Sequence, residues 1–206
     1  MKSTTLLILL LWQSARLEAA PPLVEAARQQ IGITTRYDPS YVLLDYPNGD
    51  VAPQTGVCTD VVVRAFREAF AVDLQKAIHE DMRAHFASYP QRWGLAGPDP
   101  HIDHRRVPNQ ATWFARQGWE KEPTPNPADY APGDLVTWDL NGQGLLHIGI
   151  LSDRRSPAGH LLVLHNIGRG TAEEDLLFHY TILQHFRPPQ LVAKPPVPSG
   201  QTPTPP

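Results

Sequence analysis

Three residues of this sequence have the types that thiol-dependent acyl transfer requires: Cys58, His147 and His165. A cysteine attacks a carbonyl group as a thiolate, so it needs a nearby base that accepts the thiol proton. An imidazole serves as that base when a third polar group fixes its orientation and its tautomer. We therefore assign Cys58 as the candidate nucleophile, His147 as the base and His165 as the group that orients the base.

Cys58 is the single cysteine of the chain and is predicted to lie in the first turn of an amphipathic helix. Apolar residues follow it at helical spacing up to about Phe70, and Thr55 is a candidate N-cap. The free amide groups and the macrodipole of a helix N-terminus favour an anion and lower the pKa of a thiol. The alternative is that Cys58 is a small buried hydrophobic side chain.

His147 and His165 fall on consecutive predicted strands. If the turn between these strands centres near Ser156, antiparallel pairing sets position 147 opposite position 165 on one face of the sheet. A slip of one residue would place the two imidazoles on opposite faces. A second turn, at 141–144, sets Trp138 opposite His147, where the indole either walls the cleft or belongs to the core.

The apolar period changes along the chain from helical spacing to strict alternation. Helices followed by a meander of antiparallel strands predict an α+β domain with the helices packed on one side of the sheet. Asp73 and Asn109 are predicted to cap the two helices that follow the cysteine helix. The predicted helices are 23–31, the cysteine helix to about 70, 74–89 and 110–117, and the predicted strands are 134–140, 145–152, 160–166 and 176–182.

The 206 residues carry a formal net charge of −3 and no run of lysine or arginine, so the composition does not favour a nucleic-acid partner. We expect one folded domain over residues 22–187. The apolar block within 1–20 is typical of a secretory signal peptide, with an uncleaved membrane anchor as the alternative. The proline-rich residues 188–206 are expected to form a disordered tail. The domain would then act in a bacterial periplasm or after secretion, without membrane contact once the signal is removed.

Three stretches together resemble a known family. Ala131-Pro132-Gly133-Asp134 enters a strand, His147-Ile148-Gly149-Ile150 forms the next strand, and Leu164-His165 lies in the strand after it. This arrangement resembles the NlpC-type cell-wall peptidases of the papain-like superfamily, whose cysteine opens a helix and is usually followed by Ser-Gly. Here Thr59-Asp60 follows the cysteine, which is a departure. Over most of 24–186 the sequence also resembles a family of secreted bacterial proteins described only as domain of unknown function 1287.

The resemblance implies a papain-like, NlpC-type fold in which the cysteine helix packs against a sheet of five or six strands. It implies hydrolysis of peptide or amide bonds in the stem peptides of peptidoglycan. In that family a tyrosine upstream of the cysteine often lines the site, and Tyr37 or, as second choice, Tyr46 matches it here. The helix after the cysteine helix and the loop at 92–106 are not part of the usual core of these peptidases. We expect a monomer that uses no cofactor and no metal.

Several polar residues admit more than one role. Asp60 either orients an amine of the substrate, caps the cysteine helix or is a solvated carboxylate. Arg105 and Arg106 either pair with a substrate carboxylate or form a salt bridge on a surface loop. Asn166 alternates to the other face of its strand from His165, so we assign it a structural role.

Two other functions remain open at this point. His101, Asp103 and His104 have side chains that ligate metals, which would suit a metal-dependent hydrolase. A non-catalytic periplasmic module that binds the cell wall on the same scaffold is the other alternative, and it predicts an unreactive Cys58. The complete cysteine, histidine and histidine set favours the thiol hydrolase.

Overall fold

The computed structural model describes residues 21–189. In this range helices pack against an antiparallel sheet, which confirms the predicted α+β class. The signal peptide predicted at 1–20 lies outside the described residues, as does the predicted tail beyond residue 189. Within the described range, no helix has both the length and the apolar character needed to cross a membrane.

The cysteine helix begins where it was predicted, and the bounds of the other helices differ by a few residues. Asp73 caps its helix as predicted, because its carboxylate accepts a hydrogen bond from the amide of Gln75 at 3.0 Å. Asn109 is wrong as a cap: it is buried and donates to the carbonyl oxygen of Asp103, since the helix begins earlier, with Pro108 in its first turn. The α-helices are α1 Pro22–Arg28, α2 Cys58–Phe70, α3 Leu74–His85 and α4 Val107–Arg116.

The main sheet has six antiparallel strands in the order β3-β8-β4-β5-β6-β7, and β1 and β2 form a separate parallel pair. The long central strand β5 contacts α1, α2 and α4. Three of the four helices therefore pack against this strand. The strands are β1 Arg36–Tyr37, β2 Thr55–Gly56, β3 Glu120–Lys121, β4 Leu135–Asp139, β5 Leu146–Arg155, β6 Leu161–Asn166, β7 Thr171–Glu174 and β8 Thr181–Phe186.

The strand predicted at 176–182 is wrong. Leu176 and Leu177 are adjacent in sequence and both buried, in a turn that joins β7 to β8. The carbonyl oxygen of Leu177 accepts a hydrogen bond from the indole of Trp138 at 2.9 Å. The apparent alternation therefore came from a turn that folds back over the sheet, and the strands of this region lie on either side of it.

The register between β4 and β5 agrees with the prediction, since Trp138 lies opposite His147. The register between β5 and β6 differs by two residues, because Ile150 pairs with Leu164. In this register Gly149, and not His147, falls opposite His165. An even shift keeps every side chain on its predicted face, so the two histidines still share one face of the sheet.

Two apolar clusters lie on the two faces of the sheet. One contains buried residues of all four helices together with Ile148, Ile150 and Leu164. The other contains Trp138 and Val163 with neighbouring strand residues and the turn at 176–177. Successive residues of β5 therefore point into different cores, which is the usual consequence of the two-residue period of a strand.

Candidate functional site

Helix α2 begins at Cys58, with Val57 as an extended N-cap residue. The carboxylate of Asp60 accepts a hydrogen bond from the amide of Val57 at 2.7 Å, which supplies the cap from the third position of the helix. The hydroxyl of Thr55 instead donates to the carbonyl oxygen of Ala52. Thr55 was therefore the wrong cap, and the capping role considered for Asp60 is confirmed.

Asp60 is also one half of a buried ion pair. Its two oxygens lie 2.9 and 3.0 Å from Nε and Nη2 of Arg105, and the side chains are only 4% and 1% exposed. The remaining donors of Arg105 bind the carbonyl oxygens of Ser40 and Asp38. The surface salt bridge considered for Arg105 and the solvated carboxylate considered for Asp60 are thus wrong, because this pair is enclosed and hydrogen-bonded. That Asp60 orients an amine of the substrate stays a prediction.

Asn166 holds in place the segment that precedes the cysteine helix. Its Nδ2 donates to the carbonyl oxygen of Gly56 at 3.0 Å, and its Oδ1 accepts from the amides of Gly168 and Gly170. The structural role predicted for Asn166 agrees with these contacts. The strand that carries His165 therefore also anchors the start of α2.

The thiol of Cys58 is buried, with 3% of the residue exposed. Burial raises its pKa to about 12, while the backbone amides of Ile148 and Thr59 act in the opposite direction. The low thiol pKa predicted for this helix N-terminus is wrong, because loss of hydration disfavours the thiolate more than the amides favour it. Because the backbone amide of Ile148 contacts the thiol, the sulfur lies against β5, next to the backbone of His147.

The two candidate histidines form part of a hydrogen-bonded series. Nε2 of His147 lies 3.0 Å from Nδ1 of His165, and Nε2 of His165 lies 3.1 Å from a carboxylate oxygen of Glu174. Arg169 pairs with the other oxygen of Glu174 at 2.8 Å. Burial, and next the neighbouring His165, lower the pKa of His147 to about 3. Burial likewise lowers the pKa of His165, although Glu174 opposes it.

These contacts determine where the hydrogens lie. Arg169 and His165 hold the pKa of Glu174 below its usual value despite burial, so its carboxylate is ionised and can only accept. Nε2 of His165 therefore carries the hydrogen, and Nδ1 of the neutral ring is an acceptor. That acceptor requires a hydrogen on Nε2 of His147, which leaves Nδ1 of His147 unprotonated. The series thus presents His147 as a neutral base through Nδ1.

The side chains of Cys58 and His147 make no hydrogen bond to each other. The ring of His147 packs against Trp138 with a centroid distance of 6.0 Å, on the face of β5 opposite to that of Ile148. Ile148 belongs to the same cluster as Cys58. The thiol and the imidazole are thus both neutral in this state, and the thiol contacts the backbone that holds the base and not its ring.

A cavity of about 380 Å³ opens beside Cys58. Tyr37 lines this cavity, as the resemblance implied, and its pKa is raised to about 12 by burial and next by the Cys58 thiolate. Tyr46 does not line the cavity and packs against His79 instead, with a centroid distance of 5.1 Å. Trp138 is a fully buried core residue that faces His147 and has no part in the cavity wall.

Two of the three side chains considered for a metal site are engaged in other contacts, whereas Nδ1 of the buried His104 has no hydrogen-bond partner among the described residues. Nδ1 of His101 lies 2.9 Å from the carbonyl oxygen of Leu44, and Asp103 pairs with Arg106 at 3.0 Å. Throughout 21–189, no three His, Cys, Asp or Glu side chains are grouped so that they could hold a metal ion. The metal-dependent alternative therefore has no ligand set in the described part of the chain.

One residue of the site, Glu174, and one ion pair, that of Arg105 with Asp60, were not predicted. Glu174 ends the histidine series, but its strand was not predicted at all. The signal available was the Gly-Arg-Gly turn at 168–170, which could have placed a hairpin partner beside β6. Arg105 carried no comparable signal, because its pairing with Asp60 joins residues 45 positions apart.

Residues 24–188 match the family model "Domain of unknown function (DUF1287)". The chain is 53% identical over 165 residues to the Escherichia coli (strain K12) protein named "Uncharacterized protein YijF", and the match covers 80% of each chain. No solved structure matches the chain.

Proposed function

Because the chain belongs to the DUF1287 family, a domain whose function is not assigned, we propose its activity from the chemistry of the site. The protein is a cysteine hydrolase of papain-like, NlpC-type fold that cleaves peptide or amide bonds in peptidoglycan stems. It acts as a monomer in the periplasm or after secretion. The observation that supports this most is the buried series from Glu174 through His165 to His147, beside the strand residue whose amide contacts Cys58.

In the proposed acylation step, Nδ1 of His147 accepts the proton of the Cys58 thiol. The sulfur forms a bond to the substrate carbonyl carbon, and the carbon–nitrogen bond breaks as His147 returns the proton to the leaving amine. Water then attacks the thioester with His147 again as base, which releases the acid and restores the thiol. His165 acts through His147, so it is a positioning residue, and Glu174 positions His165.

The start of α2 supplies donors for the oxyanion of the tetrahedral intermediate. The first amides of a helix have no partner inside the helix, and those of Cys58 and Thr59 approach the thiol here. Such donors are oriented before the reaction and act in a site with little water, which strengthens their effect on developing charge.

The neutral thiol and imidazole make this mechanism dependent on substrate. A preformed ion pair would hold the thiolate at rest, whereas here burial keeps the proton on sulfur. The proposal therefore requires that a substrate in the cavity brings the sulfur to Nδ1 of His147. This requirement also supports a second candidate function, a cell-wall-binding module in which Cys58 never reacts.

Product analysis separates the two functions. The purified protein and its Cys58→Ala variant are incubated with peptidoglycan, and soluble products are identified by liquid chromatography and mass spectrometry. We expect new pairs of amine and carboxyl ends with the wild type and none with the variant. If both proteins bind peptidoglycan equally and release no fragment, the hydrolase is excluded and the binding module takes its place.

A further inference from the structure

The buried carboxylate of Asp60 lies close to the proposed nucleophile. One of its oxygens accepts a hydrogen bond at 2.7 Å from the amide of Val57, the residue that precedes Cys58. Burial is the main cause that raises the pKa of the Cys58 thiol, and the charge of Asp60 acts on that pKa in the same direction. A carboxylate in the first turn of α2 therefore opposes the thiolate that acyl transfer requires.

Arg105 compensates this charge through a buried contact of two hydrogen bonds. Its Nε and Nη2 lie 2.9 and 3.0 Å from the two oxygens of Asp60, which is the paired geometry of strong guanidinium–carboxylate contacts. The effect is visible at Tyr37 in the cavity wall, whose pKa burial raises to about 12. The charges of Cys58 and Asp60 raise that pKa further, whereas the charge of Arg105 lowers it.

Arg105 also connects three segments of the chain around the cysteine. Its Nη1 donates to the carbonyl oxygen of Ser40 at 3.0 Å, and its Nη2 donates to that of Asp38 at 3.1 Å. Its own carbonyl oxygen accepts a hydrogen bond from the hydroxyl of Thr59 at 2.9 Å. The segment 92–106 is thereby joined both to the first turn of α2 and to the chain that follows β1.

Other titratable groups around the cysteine come from the cavity wall, from β5 and from the second turn of α2: Arg92, Arg106, His147 and Arg64. Among residues 21–189, only the Val57 amide and the Arg105 guanidinium donate hydrogen bonds to the Asp60 carboxylate. Removal of Arg105 therefore leaves this carboxylate beside Cys58 with no countercharge in contact.

We infer that Arg105 is a positioning residue of the cysteine site, which neutralises Asp60 and holds the first turn of α2 against the chain that follows β1. Its consequence for catalysis rests on the proposed function, whereas its effect on the thiol does not. The segment 92–106 thus acts on the nucleophile through one buried ion pair. Ionisation of Cys58 is easiest while this segment lies on α2.

Alkylation of Cys58 by iodoacetamide tests this role without a substrate. The rate is followed by intact mass at about pH 9 in two single variants and the double variant. Arg105→Gln leaves the carboxylate uncompensated, so we expect its rate to fall at least about tenfold. Asp60→Asn keeps a cap for the Val57 amide and leaves the cation, so we expect its rate to rise at least about threefold. The double variant should lie between the two, because neither charge remains.

Arg116→Gln is the matched control. Arg116 contacts Asp81 through the same two donors, Nε and Nη2, at 2.6 and 3.0 Å, and it does not line the cavity. Loss of this pair should leave the alkylation rate of Cys58 within about twofold of the wild type.

The opposite signs of the two single variants separate an electrostatic role from a structural one. Loss of packing alone would change the exposure of Cys58 in the same direction in both variants. Rates that move in the same direction, or that do not change, would therefore overturn the positioning role. If circular dichroism shows that Arg105→Gln does not fold, Asp60→Asn decides alone, and a rate at or below that of the wild type would overturn the inference.

Failure of the proposed function has a different signature. If the two single variants shift the alkylation rate in opposite directions and the wild type releases no fragment from peptidoglycan, the positioning role stands and the hydrolase does not. If the wild type cleaves peptidoglycan and neither variant changes the alkylation rate, the hydrolase stands and the positioning role does not.

Discussion

His147 and His165 meet as diagonal neighbours across β5 and β6, with Nε2 of one 3.0 Å from Nδ1 of the other. Gly149 takes the position opposite His165, so the ring of His147 reaches across from two residues earlier in β5. The next contact repeats this geometry: His165 pairs with Ala172 on β7, and Glu174 reaches it diagonally. The register of three strands thus aligns a carboxylate and two imidazoles on one face of the sheet.

The carboxylate of Glu174 sets the tautomers of His165 and His147 through the hydrogen-bonded series. Glu174→Gln removes the charge that holds the hydrogen on Nε2 of His165, so His147 spends less time as a base at Nδ1. We expect kcat on a peptidoglycan stem peptide to fall roughly 10- to 100-fold with little change in KM. Glu174→Asp keeps the charge and is expected to recover part of the loss.

The neighbouring Asp175 provides the control for Glu174. Asp175→Asn removes the same charge from a more exposed side chain that lies 3.7 Å from His160 and outside the series. Its kcat should stay within about twofold of the wild type, as for most exposed substitutions. Equal losses in the two variants would show that net charge, and not the tautomer of His165, controls the rate.

Gly149 leaves the space that the histidine series requires. A β-carbon at this position would lie 2.5 Å from Cγ1 of Val163 and 3.3 Å from Cβ of His165. Gly149→Ala is therefore expected to lower the free energy of unfolding by about 1–3 kcal/mol through overpacking, measured by urea denaturation. Gly97→Ala, where a β-carbon meets nothing within 4 Å, should change stability by less than about 0.5 kcal/mol. Similar values for the two variants would contradict the close approach of the strands.

The reactivity of Cys58 should reflect its buried thiol. Because burial raises the thiol pKa to about 12, the thiolate is scarce at pH 7 and increases throughout the alkaline range. We expect alkylation by iodoacetamide, followed by intact mass, to be slow at pH 7 and to keep rising above the free-thiol pKa of about 8.5. A plateau below pH 8 would mean that the resting protein already holds a thiolate–imidazolium pair.

The stability of the protein should fall in mild acid because of buried neutral histidines. Burial, and next the charge of Arg105, lower the pKa of His104 to about 3. Below about pH 6.5 the unfolded chain therefore binds a proton at His104, whereas the folded chain does not. This difference lowers the free energy of unfolding by about 2 kcal/mol at pH 5.

The His104→Leu variant isolates this contribution. The drop in unfolding free energy between pH 7 and pH 5 should be smaller in the variant than in the wild type by about that amount. Urea denaturation at the two pH values measures the difference. Parallel losses in both proteins would assign the acid sensitivity to other groups.

Local sequence patterns predicted the helix and the strands that carry the site residues more accurately than they predicted the burial and the ionic contacts of those residues. The alternation around Trp138 and His147 and the tight turn between their strands predicted that pairing correctly. The pairing of β5 with β6 was off by two residues because Arg155 pairs with Leu161, which centres the turn near residue 158 and not near Ser156; the register shift between Leu151 and Arg155 then reverses half of that displacement. Such an irregularity depends on packing across the sheet, which a turn position alone does not specify.

Local sequence patterns did not predict which side chains are buried or which distant charged residues form ion pairs. The helix start at Cys58 suggested a stabilised thiolate, but the thiol pKa is set mainly by how much protein covers the sulfur. Arg105 was expected on a surface loop, whereas its chain segment folds over α2 and pairs with Asp60. The burial of Cys58 and the pairing of Arg105 with Asp60 both follow from tertiary packing, which the spacing of residues within the helix does not predict.

Acylation of Cys58 by a small activated ester tests the central claim most directly. Mixing the protein with p-nitrophenyl acetate should release nitrophenolate and leave one acetyl group on the Cys58 sulfur, detected by intact mass and peptide mapping. The account predicts no such adduct with Cys58→Ala and a rate at least about 100-fold lower with His147→Gln, at unchanged circular dichroism. His179→Gln, at an exposed histidine, should acylate at the wild-type rate. An acylation rate that does not depend on His147, or a wild type that is never acylated, would contradict the assignment of Cys58 and His147 as nucleophile and base.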